Sequence, residues 1–578
     1  MYPVTRDRKV DFRPNWDLRD VLLLLALLAL IFGIVRTAAK FGGTYDYNFQ
    51  VETSLNVLPS YTAQTLLRMV LAYFVSLAFT LIYAYAAYRS KVASIILIPL
   101  LDILQSIPVL SFLPGVVLAL IAIFPGQRIG VEIASILLIF TGMTWNMTFS
   151  FYQSLCNIPR ELIEASSIYR LNSWQRFWTL ELPSGAIGLV WNSVMSVAGG
   201  WFFLIAIESF TLGNRNFHLP GLGSFLAIAA NKGDFGAVTW GLLVLIGVIV
   251  LIDFVIWRPL IAWAEKFKFE TVEAQNSAQS VVLDFIRRSP TIRILSTRFW
   301  KPLNRAFEQG ARRSVPHNSS TTIPERHSQV VQWFNWLFLS GVTLIVLWGT
   351  WEAAMLLSVL HWADWQKVVI GAILTALRVL TALVLSLAWT VPVGVAIGRN
   401  PRLAQILQPV VQIAASVPAT ALFPVLLIAL TQIGGGLQIG SIALMMLGTM
   451  WYVLFNVIAG AQSIPSDLFE AARVYKLSRW QRWQTVILPE IFPYLITGII
   501  TAVGGGWNAS IISEYIAFKG QIVKTLGLGA TISEATAAGN FPLLLAATAV
   551  MSLTVVLTNR LVWRPLYRLA QEKYQLLV

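Results

Sequence analysis

Long apolar runs separated by short basic loops dominate this chain. Residues 21–35 carry no charge at all, and many later runs reach the roughly 20 residues needed to cross a ~30 Å hydrocarbon core. The pattern predicts about six spans in each half. In the first half they fall near 19–36, 63–88, 93–124, 130–156, 184–211 and 236–256. In the second they fall near 332–358, 368–397, 403–430, 437–462, 490–516 and 540–560. Pro108, Pro114, Pro418 and Pro424 lie within the third span of each half. A missing backbone donor and a ring clash there predict a kink or a broken helix. Residues 261–329 interrupt the apolar pattern with Arg287-Arg288, Arg312-Arg313 and a polar tract at 314–322. This stretch reads as a basic cytoplasmic linker, a tether joining two formerly separate subunits. Its 281–295 portion has an amphipathic pattern suited to a membrane surface.

The chain also repeats itself. Glu164-Ala165-Ser166 through Leu182-Pro183 returns as Glu470-Ala471-Ala472 through Leu488-Pro489, an offset of 306. The same offset relates Trp145 to Trp451, Gly200-Trp201 to Gly506-Trp507 and Glu208 to Glu514. It also relates Gly221-Leu222-Gly223 to Gly527-Leu528-Gly529. Upstream, Arg68 matches Arg378 and Pro108 matches Pro418 at an offset of 310. A repeat of this length is a duplicated domain, not a solenoid unit. It divides the chain into a first half at 1–260, the linker at 261–329 and a second half at 330–578. It also predicts a pathway between two pseudo-equivalent halves.

Composition agrees with a bilayer setting. Only 12% of the 578 residues are charged, against about 25% in soluble domains, and the mean hydropathy is +0.68. The net charge of +14 would suggest nucleic acid in a soluble protein. Here the basic residues cluster in a few loops, as the positive-inside rule requires, and no nucleic-acid partner is expected. Arg89, Lys91, Arg160, Arg170 and Arg176 mark one side in the first half. Arg399, Arg402, Arg473, Lys476, Arg479 and Arg482 mark the same side in the second. Both Glu-Ala loops and both termini are therefore expected in the cytoplasm, and the halves form a parallel repeat about an axis along the membrane normal. The run after Asp20 has no convincing small-residue cleavage site and reads as a first span, not a signal peptide. Cys156 is the single cysteine, which excludes an intrachain disulfide and a cysteine-based metal site.

The loop after each fourth span carries the most specific motif. Pro159 and Pro465 suit a first helical turn, acids follow early, and a basic residue comes late, as the helix dipole favours. Leu162, Ala165 and Tyr169 share one helical stripe, and so do Leu468, Ala471 and Tyr475. A short helix of this kind fits a groove on another protein. Glu-Ala-Ala followed by Leu-Pro, with 19 residues from Glu to Pro in both copies, resembles the signature of inner-membrane permeases of binding-protein-dependent ABC importers. Trp201 with Glu208 and Trp507 with Glu514, each followed by Gly-Leu-Gly, resemble the nitrate, sulfonate, bicarbonate and taurine branch. The resemblance covers roughly 60–256 and 370–560 and omits the linker. The family's usual glycine six residues after Glu is replaced by Arg170 and Lys476, which puts the turn geometry to the test.

The resemblance implies an all-α polytopic fold, the type I ABC importer permease fold, with about twelve transmembrane helices in two six-helix repeats fused in one chain. It implies coupling helices near 159–171 and 465–477. Their ATPase-facing residues would be Glu164, Ala165, Tyr169, Arg170 and Leu171, then Glu470, Ala471, Ala472, Tyr475, Lys476 and Leu477. Expected partners are two ABC ATPase subunits at the cytoplasmic face, a periplasmic or lipid-anchored solute-binding protein, and membrane lipid. The chain itself would bind no cofactor, with ATP and Mg on the ATPases. It contains no phosphate loop, no histidine pair of metal-binding spacing and no Gly-x-Ser-x-Gly elbow. The expected role is a bacterial inner-membrane permease for a small anion such as nitrate, a sulfonate, taurine or bicarbonate. Ferric iron and polyamines are the competing solutes, and a secondary transporter is the more distant alternative.

Pathway or gate residues are expected among Trp201, Glu208, Trp507, Asn508, Glu514, Arg68 and Arg378. Spacing of seven puts each Trp and its Glu on one helical face, which predicts both tryptophans beside a central cavity with the glutamates above. Packing of the tryptophans against neighbouring helices is the plainer alternative. Arg68 and Arg378 sit at span ends, where snorkelling to headgroups is the simpler role, and pairing with Glu208 and Glu514 the sharper one. Phe202 and Phe203 stand against Asn508 and Ala509, so a solute on the pseudo-twofold axis would meet different walls.

Overall fold

The computed structural model describes residues 32–46, 49–212, 215–267, 347–423, 436–464, 466–518 and 521–574, with isolated positions at 25, 29, 282–283, 340–341, 344 and 426. Pro424, Pro465, His317, His327, most of the expected linker and the start of both expected first spans lie outside the described residues.

In the first half, helices α1 (Leu58–Arg89), α2 (Lys91–Ser106), α3 (Leu113–Ile123) and α4 (Arg128–Cys156) precede the short α5 (Arg160–Ile168). Then come α6 (Leu182–Glu208), the hairpin β1 (Ser209–Leu212) and β2 (Arg215–His218), α7 (Leu222–Lys232) and α8 (Phe235–Ile252). The second half repeats the order as α9 (Trp362–Arg399), α10 (Pro401–Ser416), α11 (Gly436–Ser463), the short α12 (Ser466–Val474) and α13 (Leu488–Ser513). It ends with the hairpin β3 (Tyr515–Phe518) and β4 (Gln521–Lys524), α14 (Leu528–Ala538) and α15 (Phe541–Thr558).

Eight helices among the described residues are long and apolar enough to cross a membrane, four in each half. The expected third span at 93–124 is not one continuous helix. α2 stops at Ser106, a 3-10 turn covers Val109–Ser111 after Pro108, and α3 restarts at Leu113. Pro108 cannot donate to the ladder and Pro114 fits only the first turn of the new helix, so the break follows from sequence. The fifth spans also end earlier than their apolar runs, because the chain turns into antiparallel hairpins pairing Ser209 with His218 and Tyr515 with Lys524.

Contacts group the described residues of 1–39, 150–192 and 251–324 into one compact unit and those of 40–149, 193–250 and 325–578 into another. In the first unit, Asn172 and Gln175 close a capping box that starts the helix leading to Leu182-Pro183. A π turn at Phe177–Glu181 follows. The proline at 183 lacks the N–H that an α turn would need, which favours the wider turn at that point. Ser478, Gln481 and the π turn Trp483–Ile487 repeat this arrangement in the second unit. There α11 packs along both α9 and α13. A Cβ on Gly505 would lie 2.5 Å from the Gly448 carbonyl, so small residues set the α11 to α13 approach. Ser386 on α9 and Thr449 on α11 share a buried 2.8 Å hydroxyl bond across the helices.

Candidate functional site

Each Glu-Ala helix ends in the same turn. After α5, the Arg170 N–H donates to Ser167 O and the Leu171 N–H to Ser166 O, both at 3.0 Å. After α12, the Lys476 N–H donates to Arg473 O and the Leu477 N–H to Ala472 O, also at 3.0 Å. These are the paired bonds of a Schellman cap, which needs a left-handed residue at its centre. Arg170 and Lys476 occupy that position with φ of 51°, the only two non-glycine residues with positive φ among the described residues. The replacement of glycine therefore leaves the turn geometry intact. Ser166 and Ala472 face inward and are buried. Glu164 and Glu470 are exposed. Next to the turn, Ile168 and Tyr169 are each 79% exposed, and Val474 and Tyr475 are 79% and 78% exposed. The expected stripe is thus split: Leu162, Ala165 and Leu468 are half-buried, while Ala471 and the two tyrosines project outward. Beside α12, the Arg399 guanidinium lies 3.6 Å from the Phe469 ring centroid.

At the far end of the fifth span from this loop, the repeated Glu, Arg and Gly-Leu-Gly elements come together. Glu208 accepts from Arg68 Nη1 at 2.7 Å, Thr65 Oγ1 at 2.8 Å and the Gly223 N–H at 2.6 Å. Thr65 Oγ1 in turn accepts the Leu222 N–H at 2.9 Å. Arg68 also grips Glu132 with both arms, Nε to Oε2 at 2.6 Å and Nη2 to Oε1 at 2.9 Å. Arg128 reaches Glu132 at 2.9 Å. The carboxylate of Glu208 thus sits on the N-terminus of α7, where free N–H groups favour negative charge. A Cβ on Gly221 would collide with that carboxylate. Gly221 itself is extended, with φ of −178°, so glycine is needed here for room and not for conformation.

The second half rebuilds this clamp with a difference. Glu514 accepts from Arg378 Nη1 at 2.9 Å, Thr375 Oγ1 at 2.8 Å, and the N–H groups of Gly529 at 2.9 Å and Ala530 at 3.2 Å. The position of Glu132 is taken by Gln438. Arg378 donates to Leu526 O at 2.7 Å, as Arg68 does to Pro220 O, and in place of a second carboxylate takes Thr525 Oγ1 at 3.0 Å. Its side chain keeps 13% exposure, against 0% for Arg68. Snorkelling is therefore ruled out for Arg68, whose fully buried guanidinium gives four of its five N–H groups to two buried carboxylates and the Pro220 carbonyl. Arg378 likewise holds a buried carboxylate. Among the described residues Arg378 lines a cavity of about 660 Å³ together with Lys367, Lys524, Gln438 and Glu534. Glu534 joins the two lysines, 2.9 Å from Lys367 Nζ and 2.7 Å from Lys524 Nζ. These hydrogen bonds, that of Lys524 first, hold the Glu534 carboxyl below its ordinary range. In the first half the residue matching Lys524 is His218, whose pKa burial pushes down.

A second cavity, of about 200 Å³, lies where the two repeats meet within the larger unit. Pseudo-equivalent residues line it: Trp145 with Trp451, Pro108 with Pro418, and Phe202 with Asn508. The bends between the broken helices reach the opposite repeat's fifth span. The Val109 N–H donates to Asn508 Oδ1 at 2.9 Å, and Thr420 Oγ1 donates to Phe202 O at 3.4 Å. Among the described residues, no Lys, Arg, His, Asp or Glu lines this cavity. Trp507 lines it. Trp201 does not: it is 2% exposed, and the lining face of α6 runs through Met195, Ala198, Gly199 and Phe202 instead. Glu208 and Glu514 face their own clamps and not this cavity. The sequence reading missed Glu132, Thr65, Thr375 and Gln438. The Thr at three residues before each Arg, and Glu132 against Gln438 at the repeat offset, were the signals that could have found them.

Two fused copies of one helical membrane module, meeting at a cavity and each carrying an exposed helix in one loop, define a polytopic transport protein. The family model described as "Binding-protein-dependent transport system inner membrane component" matches residues 78–258 and again 390–563. The chain belongs to this family and carries its domain twice. It is similar to the nitrate import permease protein NrtB of Leptolyngbya laminosa, 28% identical over 35% of this chain and 64% of that protein. It is similar to the bicarbonate transport system permease protein CmpB of Synechococcus elongatus, 31% identical over 22% of this chain and 44% of that protein. It is also similar to the taurine transport system permease protein TauC of Escherichia coli, 32% identical over 30% of this chain and 57% of that protein. The aligned regions thus span about half to two thirds of these relatives.

Proposed function

We propose that this chain supplies both permease halves of an ABC importer for a small singly charged oxyanion of the nitrate, bicarbonate or sulfonate type. The observation that carries the reading is the pair of matched Glu-Ala helices. Each is closed by a Schellman turn and presents an exposed Ile-Tyr or Val-Tyr pair beside a basic residue. One ATPase subunit docks on each from the cytoplasm, and ATP and Mg stay on those subunits. A solute-binding protein delivers the anion from the opposite side, toward the ends of the spans that carry the two clamps. A secondary carrier has no use for two such docking helices. The neutral central cavity suits brief occupancy: amide, indole and hydroxyl donors hold an anion weakly enough for it to leave again. Relatives named for nitrate, bicarbonate and taurine support this solute class over ferric iron and polyamines.

The test is reconstitution of the chain in vesicles with its ATPase and solute-binding protein. ATP-dependent uptake of nitrate, bicarbonate or an alkanesulfonate is expected, with two ATPases per chain and no hydrolysis by the chain alone. Replacing Glu164 and Glu470 together should weaken ATPase docking and uptake while membrane insertion stays normal. Uptake that persists without ATP, or one ATPase per chain, would sink the reading.

A further inference from the structure

The two clamps differ in what covers the arginine. In the first half the segment after Ala39 folds back over the site. Phe41 places its ring 5.4 Å from the Arg68 guanidinium. The Arg128 N–H donates to Gly43 O at 3.0 Å and the Tyr45 N–H to Gly126 O at 2.9 Å. Tyr45 also stacks on Phe217 of the hairpin at 5.9 Å. In the second half, residues 358–361 are all that connect the preceding helix to α9. No counterpart of this cover lies over Arg378 among the described residues.

The charge balance differs as well. Around Arg68, two arginines face two carboxylates, and the set is neutral. Around Arg378, three cations, Arg378, Lys367 and Lys524, face Glu514 and Glu534. The open set therefore has one uncompensated positive charge. Three of the five guanidinium N–H groups of Arg378 are spoken for by Glu514, Leu526 and Thr525. That leaves two without a partner among the described residues. Each lysine gives one N–H to Glu534 and has others without a partner among the described residues. A planar fork beside flexible ammonium groups suits recognition of a small oxyanion.

We propose that the open pocket around Arg378, Lys367 and Lys524 binds a singly charged oxyanion, and that this site exists in the second half only. A monoanion makes the pocket neutral, as Glu132 makes the first-half clamp neutral. Gln438 in place of Glu132 is the substitution that leaves the site one carboxylate short. Its use as a station on the transport route rests on the anion-permease reading; its existence as a binding site does not. A phospholipid headgroup offers the same chemistry, and the proposal commits to the free solute.

The test uses the full chain in phosphatidylcholine nanodiscs, titrated with nitrate and with methanesulfonate at constant ionic strength. Wild type should bind saturably. Gln438→Glu restores the first-half carboxylate, and Lys367→Gln removes the one excess charge while Lys524 still holds Glu534. Each should weaken binding about tenfold, the effect of roughly one lost charge contact. Both changes are at solvent-accessible side chains, and an unchanged unfolding temperature confirms that the fold survives. Equal affinity in wild type and both variants, or no saturable binding, overturns the proposal. A pocket filled only when phosphatidylglycerol is added, with no competition by nitrate, overturns the assignment to a soluble anion. Absence of ATP-driven uptake in the assembled transporter would instead strike the permease reading and leave this binding result standing.

Discussion

At the first-half clamp Arg68 meets two buried carboxylates under an aromatic lid, whereas at the second-half clamp Arg378 meets one and opens to a polar cavity. The scaffold is shared: Thr, Arg, Glu and Gly-Leu-Gly recur with the same bonds. One position, Glu132 against Gln438, and one missing cover separate a sealed brace from an open site. Gene duplication followed by fusion lets one copy keep the structural duty while the other changes.

The largest expected effect tests whether the first clamp is the brace. Arg68→Met leaves Glu208 buried without its cation and Glu132 with Arg128 alone. Breaking a buried pair this way costs about 3–5 kcal/mol. Arg378→Met leaves Glu514 with Thr375 and two backbone N–H groups, and removes a cation that already borders the open cavity. Its cost should be closer to that of a lost charged hydrogen bond, about 1.5–3 kcal/mol. Unfolding of the purified variants in detergent would rank them. Equal losses would show that lid and second carboxylate do not matter.

Next in size is the asymmetry at the central cavity. Asn508→Leu removes the acceptor for the Val109 N–H, and an unsatisfied buried donor costs about 1–3 kcal/mol. The bend of the first-half broken helix would lose its tether, and uptake by the assembled transporter should fall about tenfold or more. Phe202→Leu removes no side-chain hydrogen bond and should have a clearly smaller effect. If the two substitutions act alike, the cavity is a packing defect and not part of the path.

The duplication, the Glu-Ala helices and the break at Pro108 were legible because each is a local pattern with a local cause. Facing was not. α6 is apolar on nearly every side, so a spacing of seven could group Trp201 with Glu208 but could not say which way the pair points. The answer came from packing: Met143 occupies the space beside Gly200, and Phe202 takes the cavity wall. The clamp was hidden for another reason. The bonds that tie Arg68 and Thr65 to the rest of it span 64 to 157 positions, and no short-range rule links such residues. The expected fifth spans ran two or three residues into the first strand of each hairpin, since four-residue strands of mixed polarity carry little periodic signal.

The smallest effect concerns the feature in which the halves agree. Arg170 and Lys476 share a left-handed φ of 51°, which for a residue with a Cβ costs roughly 1–2 kcal/mol. Glycine would relieve that strain but gives back about 0.5–1 kcal/mol through its freer unfolded chain. Arg170→Gly and Lys476→Gly should therefore each stabilise the isolated chain slightly, by up to about 1 kcal/mol, and by the same amount in both halves. If the strain is kept because the basic side chains touch the ATPase, the same variants should stimulate ATP hydrolysis less in the assembled transporter. Stability and coupling would then move in opposite directions. A loss of stability on going to glycine would mean that the side chains brace the turn themselves. Unequal shifts in the two halves would extend the divergence seen at the arginine clamps to the docking loops.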